Sequence, residues 1–294
     1  RAWRQGGSNM FVQLGSQVTV DDLLHGVLVQ SGNDACIVLQ EGMAGTESAF
    51  ADQETKRARE LGLSKSTFKN ATGWPDPQHL MTARDLATLA HHVIQDFPQY
   101  YKLFSDLNFT YNGIKQGNRN PLLYKNLNVD GLKTGHTDEG GYGLTASAKR
   151  GDRRLILVVN GLSSMNERSQ ESERLLEWGF REFDDYALFR AGDKIDEADV
   201  WLGSQPRVPL VLEPDLVVTL AKSARRDLKV KVVYDGPVPA PIQQGQPIGH
   251  LEVSAPNLET MSVPLVAATS VGRLNATGRL SAAVSYLIWG PPRH

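Results

Sequence analysis

The 294-residue chain has one cysteine, Cys36, so no disulfide can form within it. Such thiol scarcity fits the cytosol and a bacterial periplasm equally. Neither charge is in excess: 31 Lys and Arg stand against 33 Asp and Glu, a net of −2. That excludes the basic surface on which nucleic-acid binding depends. No run of 18 apolar residues occurs, so nothing here spans a membrane as a helix. The seven histidines form no HExxH spacing and there is no C-x-x-C. No metal and no cofactor is therefore expected, and a metallo-carboxypeptidase is improbable. His91 and His92 are consecutive on a helical segment and point apart. The opening Arg1-Ala2-Trp3-Arg4 carries no signal peptide and reads as mid-domain sequence.

What remains is an ordinary globular composition, 40% apolar and 22% charged, long enough for two domains. Residues 1–190 alternate helical and strand patterns. Thr19 with Asp22, and Thr82 with Asp85, look like helix-start boxes. Leu23, Leu24, Val27 and Leu28 follow the first at helical spacing; Leu86, Leu89, Ala90, Val93 and Ile94 follow the second, and Pro98 stops that helix. Residues 166–182 read as another helix with Leu175, Leu176 and Trp178 inward. Strands are expected at Leu144–Ala148 and Arg154–Gly161, the latter buried on both faces. From about residue 191 to 272 the segments become short and β-branched, punctuated by Gly and Pro, as in a small all-β sandwich. In the tail, 273–294, Leu280, Ala283, Val284, Leu287 and Ile288 make one apolar helix face. That face fits a terminal helix docked on its own domain and a helix lying on a membrane surface equally well.

Two tripeptides carry chemistry together. Ser31-Gly32-Asn33 follows an apolar helix, and Lys133-Thr134-Gly135 precedes a strand. Their order and contexts fit the second and third motifs of the S-x-x-K, S-D-N, K-T-G set. With their surroundings, Gln30 to Ala35 and Asn126 to Asp138, they resemble the penicillin-binding D-alanyl-D-alanine carboxypeptidases of the penicillin-binding protein 5/6 type. Thr82-Ala83-Arg84-Asp85-Leu86, Asn118-Arg119-Asn120 and Leu175 to Phe180 match the same family. The resemblance runs from residue 1 to about 190 and continues more loosely through the β-rich part.

It implies an α/β (α+β) fold: a β-lactamase/DD-peptidase-like catalytic domain, then a β-sandwich-like domain and a short amphipathic helix. It implies a serine peptidase that removes the terminal D-alanine from peptidoglycan stem pentapeptides through an acyl-enzyme. β-Lactam antibiotics would be inhibitors, and the place of work the periplasmic face of a bacterial inner membrane. The family's S-x-x-K should lie several dozen residues ahead of Ser31, so the chain as written is expected to lack the nucleophile and its base, and to be inactive alone. Ser66-Thr67-Phe68-Lys69 fits the pattern but comes after Ser31 and alternates like a strand, which would put Ser66 and Lys69 on opposite faces.

The resemblance also assigns roles. Lys133 would supply a cation that holds Ser31 and depresses the catalytic lysine; Ser31 would relay a proton to the leaving nitrogen. Asn33 would bond the substrate backbone, and Gly32 would allow close approach. Lys133 to Gly135 would form an edge strand along which the substrate adds, with the His136 N–H as an oxyanion donor. Thr134 and Arg168 would take the terminal carboxylate, and Arg119 would lie near the cleft. Against these stand plainer readings: Ser31 and Asn33 as loop and cap residues, and Arg168 paired at the surface with Glu167, Glu171 or Glu173. Cys36 reads as a small buried hydrophobe. Trp74-Pro75-Asp76-Pro77 is a rigid loop, either lining the cleft or merely connecting. A class A β-lactamase would need a glutamate between the two motifs on the loop near 73–81, which holds only Asp76. A non-catalytic peptidoglycan-binding or scaffold protein is the remaining alternative.

Overall fold

The computed structural model describes residues 6–278 together with Ala2, Ser281 and Val284. The chain divides into two compact units, Arg1–Phe180 and Arg181–His294.

The first unit opens with helices α1 (Val20–Leu28), α2 (Asn33–Ala44) and α3 (Glu47–Glu60). Thr19 caps α1 by accepting from the Asp22 N–H at 3.0 Å. Helix α4 (Ala83–Asp96) is capped likewise, the Thr82 hydroxyl accepting from Asp85 N at 3.1 Å. Its Ala90, Val93 and Ile94 pack on Leu132 and Tyr101, the latter from the short α5 (Pro98–Tyr101). A hairpin follows, β1 (Asn108–Tyr111) with β2 (Ile114–Gly117). The central sheet is antiparallel, in the order β3 (Val129–Thr137), β4 (Gly141–Arg150), β5 (Arg153–Leu162). Helix α6 (Met165–Glu182) buries Leu176 and Phe180 against Leu144, Ala146 and Ala148 of β4.

Two expectations are corrected here. Trp178 is 44% exposed rather than inward, because the buried stripe of α6 runs through Ser169, Ser172, Leu176 and Phe180 and a residue two places from Leu176 faces away. Strand β5 has β4 as its only neighbour among the described residues, and its apolar run is half-buried, not buried on both faces.

The second unit is all-β. A six-stranded sheet runs β10 (Lys229–Tyr234), β12 (Pro247–Ala255), β13 (Leu258–Ala267), β8 (Arg207–Val211), β7 (Lys194–Trp201), β11 (Val238–Pro239). A two-stranded sheet pairs β6 (Phe183–Phe189) with β9 (Leu216–Ala221). One continuous core joins them, including Leu210, Val218, Leu251, Val253 and Leu265. The division falls about ten residues before the change of character at 191, because β6 pairs with β9 inside this unit. Of the expected apolar tail face, Leu280, Ala283, Leu287 and Ile288 lie outside the described residues. Among the described residues no helix is long and apolar enough to cross a membrane.

Candidate active site

The turn between α1 and α2 presents Ser31. Its φ of 60° is left-handed, a conformation that costs a non-glycine residue and must be held by its surroundings. Gly32 N donates to Gly26 O at 2.9 Å, and Asn33 N to Ser8 O at 2.8 Å. A Cβ on Gly32 would come within 3.1 Å of Met10 N and 3.3 Å of Gly26 O, so glycine is needed for packing against the chain's own backbone. The next residue, Asp34, is buried; its carboxylate accepts from Met10 N and Val12 N, both at 2.9 Å. That anchor was not visible in sequence.

Across from this turn, strand β3 forms one edge of the central sheet. Lys133 reaches over to donate to Ser31 Oγ at 2.7 Å and to Thr134 O at 2.9 Å. Burial lowers the Lys133 ammonium to about 8, and the nearby cations Arg119 and Arg168 push it the same way. Cys36 sits on the first turns of α2 and burial pushes its thiol up to about 11, so it is an inert neutral neighbour of that cation. Thr134 follows Lys133 on β3, partly exposed, and Gly135 and His136 are exposed. A Cβ at Gly135 would meet nothing within 4 Å, so that stretch of the edge is open.

The His136 ring lies 4.0 Å from Tyr142, and the Arg168 guanidinium 5.8 Å from the same Tyr142 ring. Arg168 is 6% exposed, its Nε has no hydrogen-bond partner, and burial lowers its affinity for its proton. The neighbouring glutamates are engaged elsewhere: Glu171 with Arg174, Glu173 with Lys125, Glu167 with Ser163. The surface ion-pair reading of Arg168 is thereby overturned. Tyr142, the ring that faces both Arg168 and His136, carried no sequence signal and lies just ahead of the expected strand Leu144–Ala148.

The remaining candidates stand further out. Asn33 turns its amide to Gly6 O at 2.8 Å. Arg119 is exposed and donates to Gln116 Oε1 at 3.4 Å. Its loop is tied to β3, since Asn120 Nδ2 donates to Gly131 O at 3.1 Å. Trp74 lies against Gly6, which would bring a Cβ there within 3.3 Å of the indole, and Asn70 Oδ1 holds the loop by accepting from Trp74 N at 2.9 Å. Ser66 is fully buried and donates to Asp85 Oδ2 at 2.6 Å, while Thr67 bridges Leu80. It is a structural serine away from the site. No cluster of metal-binding side chains occurs among the described residues.

Residues 1–164 match the D-alanyl-D-alanine carboxypeptidase family. This chain belongs to that family. Residues 183–273 match the C-terminal domain of penicillin-binding protein 5. The D-alanyl-D-alanine carboxypeptidase DacA of Haemophilus influenzae is 39% identical over 276 residues, 93% of this chain and 70% of that protein. DacA of Escherichia coli K12 is 36% identical over 278 residues, 94% of this chain and 69% of that protein. The crystal structure of penicillin-binding protein 5 from H. influenzae superposes with a TM-score of 0.82 at 38% identity, covering 91% of this chain and 78% of that one.

Proposed function

We propose that this chain supplies the substrate-recognition side of a D-alanyl-D-alanine carboxypeptidase site, and that the peptidoglycan pentapeptide and β-lactams are its ligands. The observation that carries this reading is the 2.7 Å contact from Lys133 to Ser31 beside an open β3 edge. An extended peptide adding to that edge would place its carbonyl by the His136 N–H and its terminal carboxylate toward Thr134 and Arg168. Arg168 suits that role because it is a desolvated cation with unused donor capacity. Lys133, held near 8, is poised to exchange a proton with Ser31 around neutral pH, as return of a proton to a leaving amine requires.

The acylating serine would come from an S-x-x-K segment ahead of Ser31, since Ser66 is committed to Asp85. That commitment also favours a second reading, in which these residues recognise D-Ala-D-Ala ends without cleaving them. The same reading puts the work in the periplasm, with the apolar face proposed for residues 280–288 at the membrane surface.

In an enzyme carrying S-x-x-K ahead of Ser31, Lys133→Ala should lower D-alanine release by at least about a hundredfold, the scale of losing a preorganised charge. Near-normal release in that variant would contradict the role given to Lys133. Absence of release from the parent enzyme would favour recognition alone.

A further inference from the structure

Behind the site, one cluster of polar side chains joins all three strands of the central sheet, and no step above uses it. Arg154, on β5, sends Nη1 to Asp130 Oδ1 and Nη2 to Asp130 Oδ2, both at 2.7 Å. Asp130 lies on β3, two strands away and three residues ahead of Lys133. Two strand spacings are about 9.5 Å, a span that suits a long forked side chain. The path crosses β4 at Ser147, which is fully buried and accepts from Arg154 Nη1 at 2.7 Å. A larger residue at 147 would block it. Tyr101 closes the cluster from α5: its hydroxyl donates to Asp130 Oδ1 at 2.5 Å and accepts from Arg154 Nη1 at 3.1 Å. A Cβ on Gly131 would lie 2.9 Å from that hydroxyl, so the strand can approach Tyr101 only with glycine there.

The clamp grips β3 where its register is weakest. The pairing of β3 with β4 slips between Val129 and Gly131, so ladder hydrogen bonds alone do not fix the height of the residues that follow. Asp130 sits in that slip. From it, Leu132 pairs with Ala146, Lys133 with Thr145 and Thr134 with Leu144. A bidentate arginine–carboxylate pair is directional, and it sets the position of the strand as well as adding energy. Burial and the neighbouring Asp130 push the Tyr101 hydroxyl up, so it remains a donor across the working pH range.

We propose that Arg154 is a positioning residue for the site: through Asp130 it fixes β3 at the height where Lys133 meets Ser31. The proposal rests on Lys133 being the site cation, but its test needs no turnover and so fails or succeeds separately from the D-alanine release assay.

The experiment is a 13C NMR titration of the 294-residue chain labelled at lysine Cε, with Lys133 identified by the signal lost in Lys133→Arg. The wild-type midpoint is expected near 8. Arg154→Ala should raise it by roughly one pH unit or more, as Lys133 regains water. Arg154→Lys should fail to restore it, because an ammonium cannot make the two parallel bonds. Asp130→Asn should also raise it, since an amide cannot accept both guanidinium bonds. Leu251→Ala, in the core of the second unit, serves as the control for lost stability and should leave the midpoint unchanged. If Arg154→Ala does not fold, Arg154→Lys and Tyr101→Phe carry the test. A wild-type midpoint in folded Arg154→Lys and Asp130→Asn would overturn the proposal, as would an equal rise in Leu251→Ala.

Discussion

The two units hide different things. Every fully buried polar or charged side chain among the described residues, from Gln30 to Ser172, lies in the first unit. So do all the buried polar atoms there that lack a partner. The first unit's apolar packing is correspondingly broken into three clusters, around Met10 and Leu23, around Leu144 and Leu176, and around Ala90 and Leu132. The second unit has a single apolar cluster linking its two sheets and no buried polar side chain among its described residues. Burying polar groups costs stability unless each is satisfied. A segment that keeps them is giving up part of its stability for placed charges and donors, and in the first unit Gln30, Asp34 and Arg168 border Ser31 and Lys133.

The contrast can be broken at three points, in falling order of effect. Leu251→Ala removes a fully buried side chain from the continuous core. It should destabilise the second unit by about 2–5 kcal/mol, the range for a leucine cavity, measured by urea unfolding followed through unit-specific NMR signals. Loss of under 1 kcal/mol would mean that core is looser than it looks. Ser66→Ala breaks the buried bond to Asp85. It should lower the midpoint of thermal unfolding by roughly 3 °C. Fluorescent penicillin should leave no covalent label on either the wild-type chain or this variant. Label on the wild type that vanishes in Ser66→Ala would reverse the structural assignment of Ser66.

The smallest effect concerns Glu54 on α3, whose Oε2 is buried without a partner. Burial raises its carboxyl from 4.5 to about 7. The folded state therefore keeps a proton that the unfolded state releases from pH 4.5 upward. Stability from this group is present below pH 4.5 and is lost as pH rises through 7. Thermal midpoints of wild type and Glu54→Gln, compared across pH 4–8, should draw together at low pH, with the variant ahead at high pH. A difference independent of pH would show that Glu54 titrates alike in the folded and unfolded states.

What was legible in the sequence follows the same divide. Helices α1 and α4 were readable because each has a Thr cap and an apolar stripe, and both caps are made. Strands β4 and β5 were readable from their apolar runs. Strands β6 and β7 were not: Phe183-Asp184-Asp185-Tyr186 and Lys194 to Trp201 carry acidic residues that strands usually avoid, and pairing with β9 and β8 overrides that preference. At the site, the two tripeptides pointed to the turn and the edge strand that the structure brings into contact. The long-range supports were invisible. Asp34 holding Met10 and Val12, Tyr142 facing both His136 and Arg168, and Arg154 reaching Asp130 are each set by strand order and chain crossing, which local spacing does not encode.

The central claim is that the β3 edge and the Ser31–Lys133 pair recognise a chain ending in D-Ala-D-Ala through its free carboxylate. The most direct measurement is amide NMR of the 294-residue chain titrated with an acyl-D-Ala-D-Ala peptide and with the same peptide amidated. Shifts are expected at Ser31 and from Thr134 to His136. The acid should bind tighter than the amide by about ten- to a hundredfold, the worth of a charge-assisted pair, and Arg168→Ala should erase that difference. Equal binding of acid and amide, or shifts that avoid β3, would contradict the account.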